Sequence, residues 1–306
     1  MSLPDKVTII EVGPRDGLQN EKNMIPTETK VQFIKALKQA NLPEMELTSF
    51  VSPKWVPQMK DADEVIEQCL DQTRNFVLAP NQKGIERFYQ SGANEIAVFV
   101  GASNTFNKKN INKTTNESLE ELKPLISDLK QNGKFVRACI STAFYCPYEG
   151  KVAAEEVIKL SETFANYGVD ELSVADTVGM ATPKEVYDLL NSLKSNLPKG
   201  IMLTGHFHNT RGTALANIYA SLEAGVDRFD SSAGGLGGCP FAPGASGNVA
   251  TEDVLYMLHG MGIETGVDIE KVIKAVDIVA PYMTRTFDSK LYQLQKNNHL
   301  TPTTKG

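Results

Sequence analysis

The chain of 306 residues is 41% hydrophobic and 22% charged, enough apolar material for one large soluble domain or two ordinary ones. A net charge of -6 and a sequence pI of 5.4, with no Lys/Arg-rich block, argue against nucleic acid or an anionic membrane as the main partner and leave a small molecule. No apolar stretch approaches membrane-spanning length. The four cysteines, Cys69, Cys139, Cys146 and Cys239, are scattered and form no CxxC pair, which suits a reducing compartment. Residues 1–6 run straight into the first strand-like segment, so a cytoplasmic protein with no targeting presequence is expected.

In chain order, residues 7–12 form a short β-branched run that ends in the turn Gly13-Pro14-Arg15-Asp16-Gly17. A helix follows after Pro26 and Thr27, with Val31, Ile34 and Leu37 on one face. The alternation then repeats. Strands are predicted at 45–48, 76–79, 96–100, 135–140, 172–175, 201–207 and 229–231, and amphipathic patterns follow at 65–70, 85–89, 119–129, 157–164, 186–193, 215–222 and 254–258. Thr182-Pro183-Lys184-Glu185 offers an N-cap threonine, a proline at the first helical position and a capping-box glutamate.

About eight strand-then-helix units in roughly 260 residues are the rhythm of an α/β protein built as a (β/α)8 TIM barrel. The runner-up, a doubly wound open sheet, lacks the Gly-x-Gly-x-x-Gly turn after its first strand. The barrel is expected over residues 1–265. A C-terminal extension, 266–306, would hold a helix at 269–279 capped by Asp268, then a polar, loosely held tail packed on the barrel.

Active sites on this fold collect at the C-terminal ends of the strands, and polar residues recur there. Arg15, Asp16 and Gln19 follow strand one, and Glu46, Thr48 and Ser49 end strand two. Ser141 and Thr142 end strand five, Ser173, Asp176 and Thr177 belong to strand six and its exit, and Asp230 with Ser231 ends strand eight. In Gly205-His206-Phe207-His208-Asn209, strand alternation turns both imidazoles to one face, a pattern that suits a shared divalent ion or a hydrogen-bonded histidine pair. Met45 and Leu47 would face the helices and so turn Glu46 into the barrel interior, where an ionised carboxylate needs a cation, either Arg15 or a metal. The stretch Gly234-Gly235-Leu236-Gly237-Gly238-Cys239-Pro240 reads as a glycine loop able to approach a ligand closely. It could cradle phosphate, carry Cys239 as an acid, base or nucleophile, or simply bury a structural thiol.

Together these stretches, with Gly13 to Glu21 and Ser49-Phe50-Val51-Ser52-Pro53, resemble the 3-hydroxy-3-methylglutaryl-coenzyme A (HMG-CoA) lyases over nearly the whole chain. The resemblance implies a divalent ion, Mg2+ or Mn2+, held by Asp16, His206, His208 and Asn248, a set of oxygen and nitrogen donors without thiolate. It makes Arg15, Asp16, Glu46 and Cys239 the catalytic groups, with Gln19, Ser49, Ser173 and Thr177 toward the substrate. Lys22, Lys83 and Asn110 are candidate contacts for the coenzyme A moiety, and a homodimer is expected. The Ser231-Ser232 doublet departs from the family pattern.

The implied reaction splits the substrate between C2 and C3 into acetoacetate and acetyl-CoA. The C3 hydroxyl loses its proton to Asp16 or Glu46, Arg15 faces the developing enolate oxygen, and Cys239 returns a proton to carbon. A Claisen-condensing acyltransferase of the isopropylmalate or homocitrate synthase type shares the Arg-Asp turn and the His-x-His strand. The cysteine-bearing loop favours the lyase over it. A non-catalytic metal- or CoA-binding barrel is the third reading.

Overall fold

Eight parallel strands close on themselves in the computed structural model, which describes residues 3–238 and 247–300. They are β1 (Thr8–Glu11), β2 (Glu44–Ser49), β3 (Arg74–Leu78), β4 (Glu95–Gly101), β5 (Phe135–Ser141), β6 (Glu171–Asp176), β7 (Met202–Phe207) and β8 (Arg228–Ser231). Neighbours in sequence are neighbours in the sheet, and β8 pairs with β1 to close the barrel. The crossover helices are α1 (Thr27–Gln39), α2 (Ala62–Cys69), α3 (Gln82–Gln90), α4 (Asn104–Ile111), α5 (Thr115–Gln131), α6 (Ala154–Tyr167), α7 (Pro183–Asn196), α8 (Ala214–Glu223) and α9 (Thr251–Gly260). All eight expected strands and the expected helices are present. Two features carried no advance signal: α4, and a two-stranded hairpin of Tyr145–Cys146 with Gly150–Lys151 above β5.

Local chemistry explains the starts and stops. Thr182 and Thr114 both form full capping boxes, with Glu185 and Glu117 reaching back to the cap amides. Asp268 caps α10 (Ile269–Val279) through the Lys271 amide. The tail also holds a helix that carried no advance signal, α11 (Lys290–Leu300), which docks on α9. Asp253 on α9 accepts the Lys290 and Leu291 amides, both at 2.9 Å, and Tyr292 is buried. Its polar surface hid a helix held at its start by a carboxylate on another helix.

The main apolar core lies between strands and helices, where Ile9, Met45, Leu47, Val77, Val98, Leu172 and Phe229 meet the inner faces of α1 to α9. The barrel interior is different. Ile10, Val12 and Phe76 form a small apolar plug there, and beside it Glu44, Arg228, Glu171, Arg137 and Asp230 make a ladder of buried ion pairs.

Candidate active site

The turn after β1 sets the site. Residues 13–17 form one wide helical turn in which the Gly17 and Leu18 amides donate five residues back, to Val12 and Gly13, at 3.1 and 3.0 Å. This geometry puts Arg15 and Asp16 side by side over the barrel mouth. Arg15 Nη1 donates to Asp16 Oδ1 at 2.7 Å, and Nη2 donates to Glu46 Oε2 at 2.6 Å. Glu46 does point inward as its neighbours require, and Arg15 is the cation that accompanies it. Glu46 Oε1 is buried and accepts no hydrogen bond among the described residues.

His206 and His208 converge from β7, their ring centroids 5.3 Å apart. Ligand atoms of Asp16, His206 and His208 all lie within 4.8 Å of one another. Asn248 arrives from the far side of the glycine segment. The Val249 amide bonds Phe207 O, the Asn209 amide bonds Gly247 O, and Asn248 sits opposite His208 in a short antiparallel bridge. Asn248 Nδ2 donates to Asp16 Oδ2 at 2.7 Å, while its buried Oδ1 has no partner among the described residues. One carboxylate, two imidazoles and an amide oxygen left without a donor fit a divalent ion.

The charges around these groups differ. Burial alone would raise the Asp16 carboxyl, but Arg15, His206 and His208 outweigh it and hold Asp16 below its usual range. Glu46 shifts the other way, because burial prevails over the pull of Arg15. His206 Nδ1 lies 2.9 Å from Asp230 Oδ2, a contact that orients the ring. Asp230 in turn takes two 2.5 Å contacts from Arg137 and one of 3.2 Å from Ser173.

The expected substrate residues divide. Gln19 joins the cluster through a 2.8 Å bond to Asp16, and Ser49 is buried with its Oγ unpartnered among the described residues. Ser173 braces Asp230 below the site. Thr177 accepts the Thr142 amide at 2.8 Å, and Asp176 accepts the Met180 and Ala181 amides, so both shape the mouth. Lys22, Lys83 and Asn110 follow β1, β3 and β4 on the same rim, the first two exposed and the third half-buried, outside the hydrogen-bonded cluster. Cys239 lies outside the described residues. Arg137 went unread in the sequence. Its position on β5 in phase with Cys139 and Ser141 was the available signal, since strand alternation turns all three inward.

A closed parallel barrel with a donor set for a divalent ion beside a fixed guanidinium, all at the C-terminal mouth, defines a small-molecule barrel enzyme. A family profile described as HMGL-like matches residues 6–279, and the chain belongs to that family. It is 47% identical to the hydroxymethylglutaryl-CoA lyase YngG of Bacillus subtilis, over 97% of this chain and 100% of that protein. The crystal structure of the Bacillus subtilis HMG-CoA lyase superposes with a TM-score of 0.92, again over 97% of this chain and 100% of the other. A cytoplasmic 3-hydroxy-3-methylglutaryl-CoA lyase of Danio rerio is 48% identical, over 97% of this chain and 89% of its own length. The structure of an HMG-CoA lyase from Acinetobacter baumannii, in complex with coenzyme A and 3-methylmalate, is 37% identical with a TM-score of 0.91, over 99% of each chain.

Proposed function

We propose that this chain cleaves HMG-CoA to acetoacetate and acetyl-CoA with a divalent ion, Mg2+ or Mn2+, held by Asp16, His206, His208 and Asn248. The observation that carries the reading is Arg15 clamped between Asp16 and Glu46 at the edge of that donor set. The named relatives, alike over nearly the whole chain, support the substrate. A divalent ion in such a site supplies positive charge that raises the acidity of a substrate hydroxyl.

Among the chain's own groups, Glu46 is the stronger candidate for general base. Both oxygens of Asp16 are committed, Oδ1 to Arg15 and Gln19 and Oδ2 to Asn248, and its pKa is depressed. Glu46 keeps Oε1 uncommitted and its affinity for a proton raised. Arg15, fixed by two carboxylates, presents charge to the developing enolate oxygen without reorganising. Its Nε, buried and unpartnered among the described residues, marks donor capacity still unspent. Cys239 is assigned the final protonation on the family resemblance alone.

Lys22, Lys83 and Asn110 occupy the rim from which a coenzyme A tail would leave the mouth, and we assign them that contact. Gln19, Ser49, Ser173 and Thr177 are assigned to the acyl end, with Ser173 acting through Asp230. The homodimer follows from the resemblance, and the cytoplasmic assignment is supported by the free thiols of Cys69, Cys139 and Cys146. No helix among the described residues is long and apolar enough to cross a membrane. Incubation with Mg2+ and HMG-CoA should release acetoacetate and acetyl-CoA in equal amounts. Activity only with an acyl-CoA plus a 2-oxo acid, in the condensing direction, would favour the synthase reading.

A further inference from the structure

Glu11 takes no part in the chemistry above. It is fully buried at the end of β1, paired in the ladder with Ser231, and alternation turns it to the outer face of the barrel, away from Asp230 and His206. There its carboxylate joins three segments. Oε1 accepts the Gly13 amide at 2.7 Å and the Ala233 amide at 3.0 Å, and Oε2 accepts the Thr251 hydroxyl at 2.7 Å. Gly13 opens the turn that carries Arg15 and Asp16. Ala233 lies just beyond β8, and Thr251 begins α9 three residues after Asn248. Gly13 also shows how closely the joint is fitted, since a Cβ at that position would stand 2.5 Å from Glu11 Oε1.

We infer that Glu11 is a positioning residue: by hydrogen-bonding Gly13, Ala233 and Thr251 together, it holds the Arg15–Asp16 turn in register with Asn248 so that the ion donors meet. The two donors come from opposite ends of the chain, and the 2.7 Å contact between them depends on the relative placement of the two segments that Glu11 grips. The inference rests on the ion site of the proposed function.

The joint works through shape more than charge. Burial pushes the Glu11 carboxyl up to about 7, and the neighbouring Glu252 acts in the same direction. A protonated carboxyl keeps every contact. Oε1 still accepts both amides, and Oε2 donates to Thr251 Oγ1, whose own hydrogen turns to Ser231 Oγ 2.8 Å away. A glutamine amide reproduces that arrangement, with its oxygen on the two amides and its nitrogen donating to the threonine.

The test compares Glu11→Gln, Glu11→Ala and Gly13→Ala for Mn2+ affinity in the absence of substrate, for kcat and KM with HMG-CoA, and for melting temperature. Loss of a group that orients ligands typically costs about 10- to 100-fold in metal affinity. That loss is expected for Glu11→Ala and Gly13→Ala, with kcat falling more than KM changes, while Glu11→Gln stays close to wild type. Gly13→Ala keeps the carboxylate and displaces it, so it reads the same joint even if Glu11→Ala does not fold. Two results would overturn the inference: wild-type Mn2+ affinity in both alanine variants despite lower melting temperatures, or a Glu11→Gln variant as impaired as Glu11→Ala. A wild-type protein that binds Mn2+ but leaves HMG-CoA intact would instead refute the substrate assignment and leave the Mn2+ comparison readable.

Discussion

The two sides of the barrel wall are built on opposite principles. Outside, between strands and helices, Leu, Ile, Val and Phe pack by volume, with residues such as Leu190 on α7 and Ile218 on α8 wholly buried. Inside, Glu44, Arg228, Glu171, Arg137 and Asp230 form a chain of ion pairs, most of them across the barrel between non-neighbouring strands, that ends at His206. A wall of the first kind loses stability in proportion to the atoms removed. One of the second kind depends on every partner, because a buried charge whose partner is deleted has nowhere to turn.

Substitutions at the top of the inner side should therefore abolish function, and those of apolar packing residues on the outer side should cost only stability. The largest effect is expected for His206→Ala or His208→Ala, in which divalent-ion binding and activity vanish together. Retained metal stoichiometry in both variants, measured by elemental analysis, would remove the ion from this site. Cys239→Ser should come next, with kcat reduced by about 10²- to 10⁴-fold at unchanged melting temperature and metal content. Near-normal turnover would return that thiol to a structural role. Arg15→Met should cost roughly 3 to 4 kcal/mol of transition-state stabilisation, seen in kcat with coenzyme A affinity near wild type. An effect confined to KM would make Arg15 a substrate anchor.

Lower down the inner side, Arg137→Met leaves Asp230 and Glu171 short of a cation, for which denaturant melts should show a loss of about 3 to 5 kcal/mol. It should also weaken the ion site, because the carboxylate behind His206 is no longer held. On the outer side, Leu190→Ala should lose about 2 to 5 kcal/mol with kcat unchanged in the remaining folded protein. Turnover that falls in the Leu190 variant, or stands unchanged in the Arg137 variant, would erase the distinction between the two sides.

The same distinction governs what could be read in advance. The outer side announces itself, since apolar residues at helical or strand spacing repeat within one short window and gave all eight units. Convergence of His206 and His208, and the inward turn of Glu46, followed from the same alternation. The inner pairs join residues far apart in the chain: Arg228 and Glu44 are 184 positions distant, and Arg137 and Asp230 are 93. No local period links such residues, so alternation could turn Arg137 inward but could not name Asp230 as its partner. Asn248 was reached only through family resemblance, because its place depends on a bridge to the end of β7 that the intervening chain does not announce.

The docked tail gives the protein a temporal property. Gly234, with φ of 74°, lies so close to Phe287 that a Cβ there would fall 2.6 Å from the ring, and Asp253 on α9 receives the amides of Lys290 and Leu291. These contacts brace the segment leading out of β8 from residues made after every barrel strand. Synthesis proceeds from the N-terminus at about 5 to 20 residues per second, and early segments fold as they emerge. The strands can therefore find their neighbours while the chain is still on the ribosome, yet the support beneath the glycine segment is complete only once residues 287–291 have left the exit tunnel. Pairing of the barrel strands and bracing of that segment are in this sense separate events of synthesis.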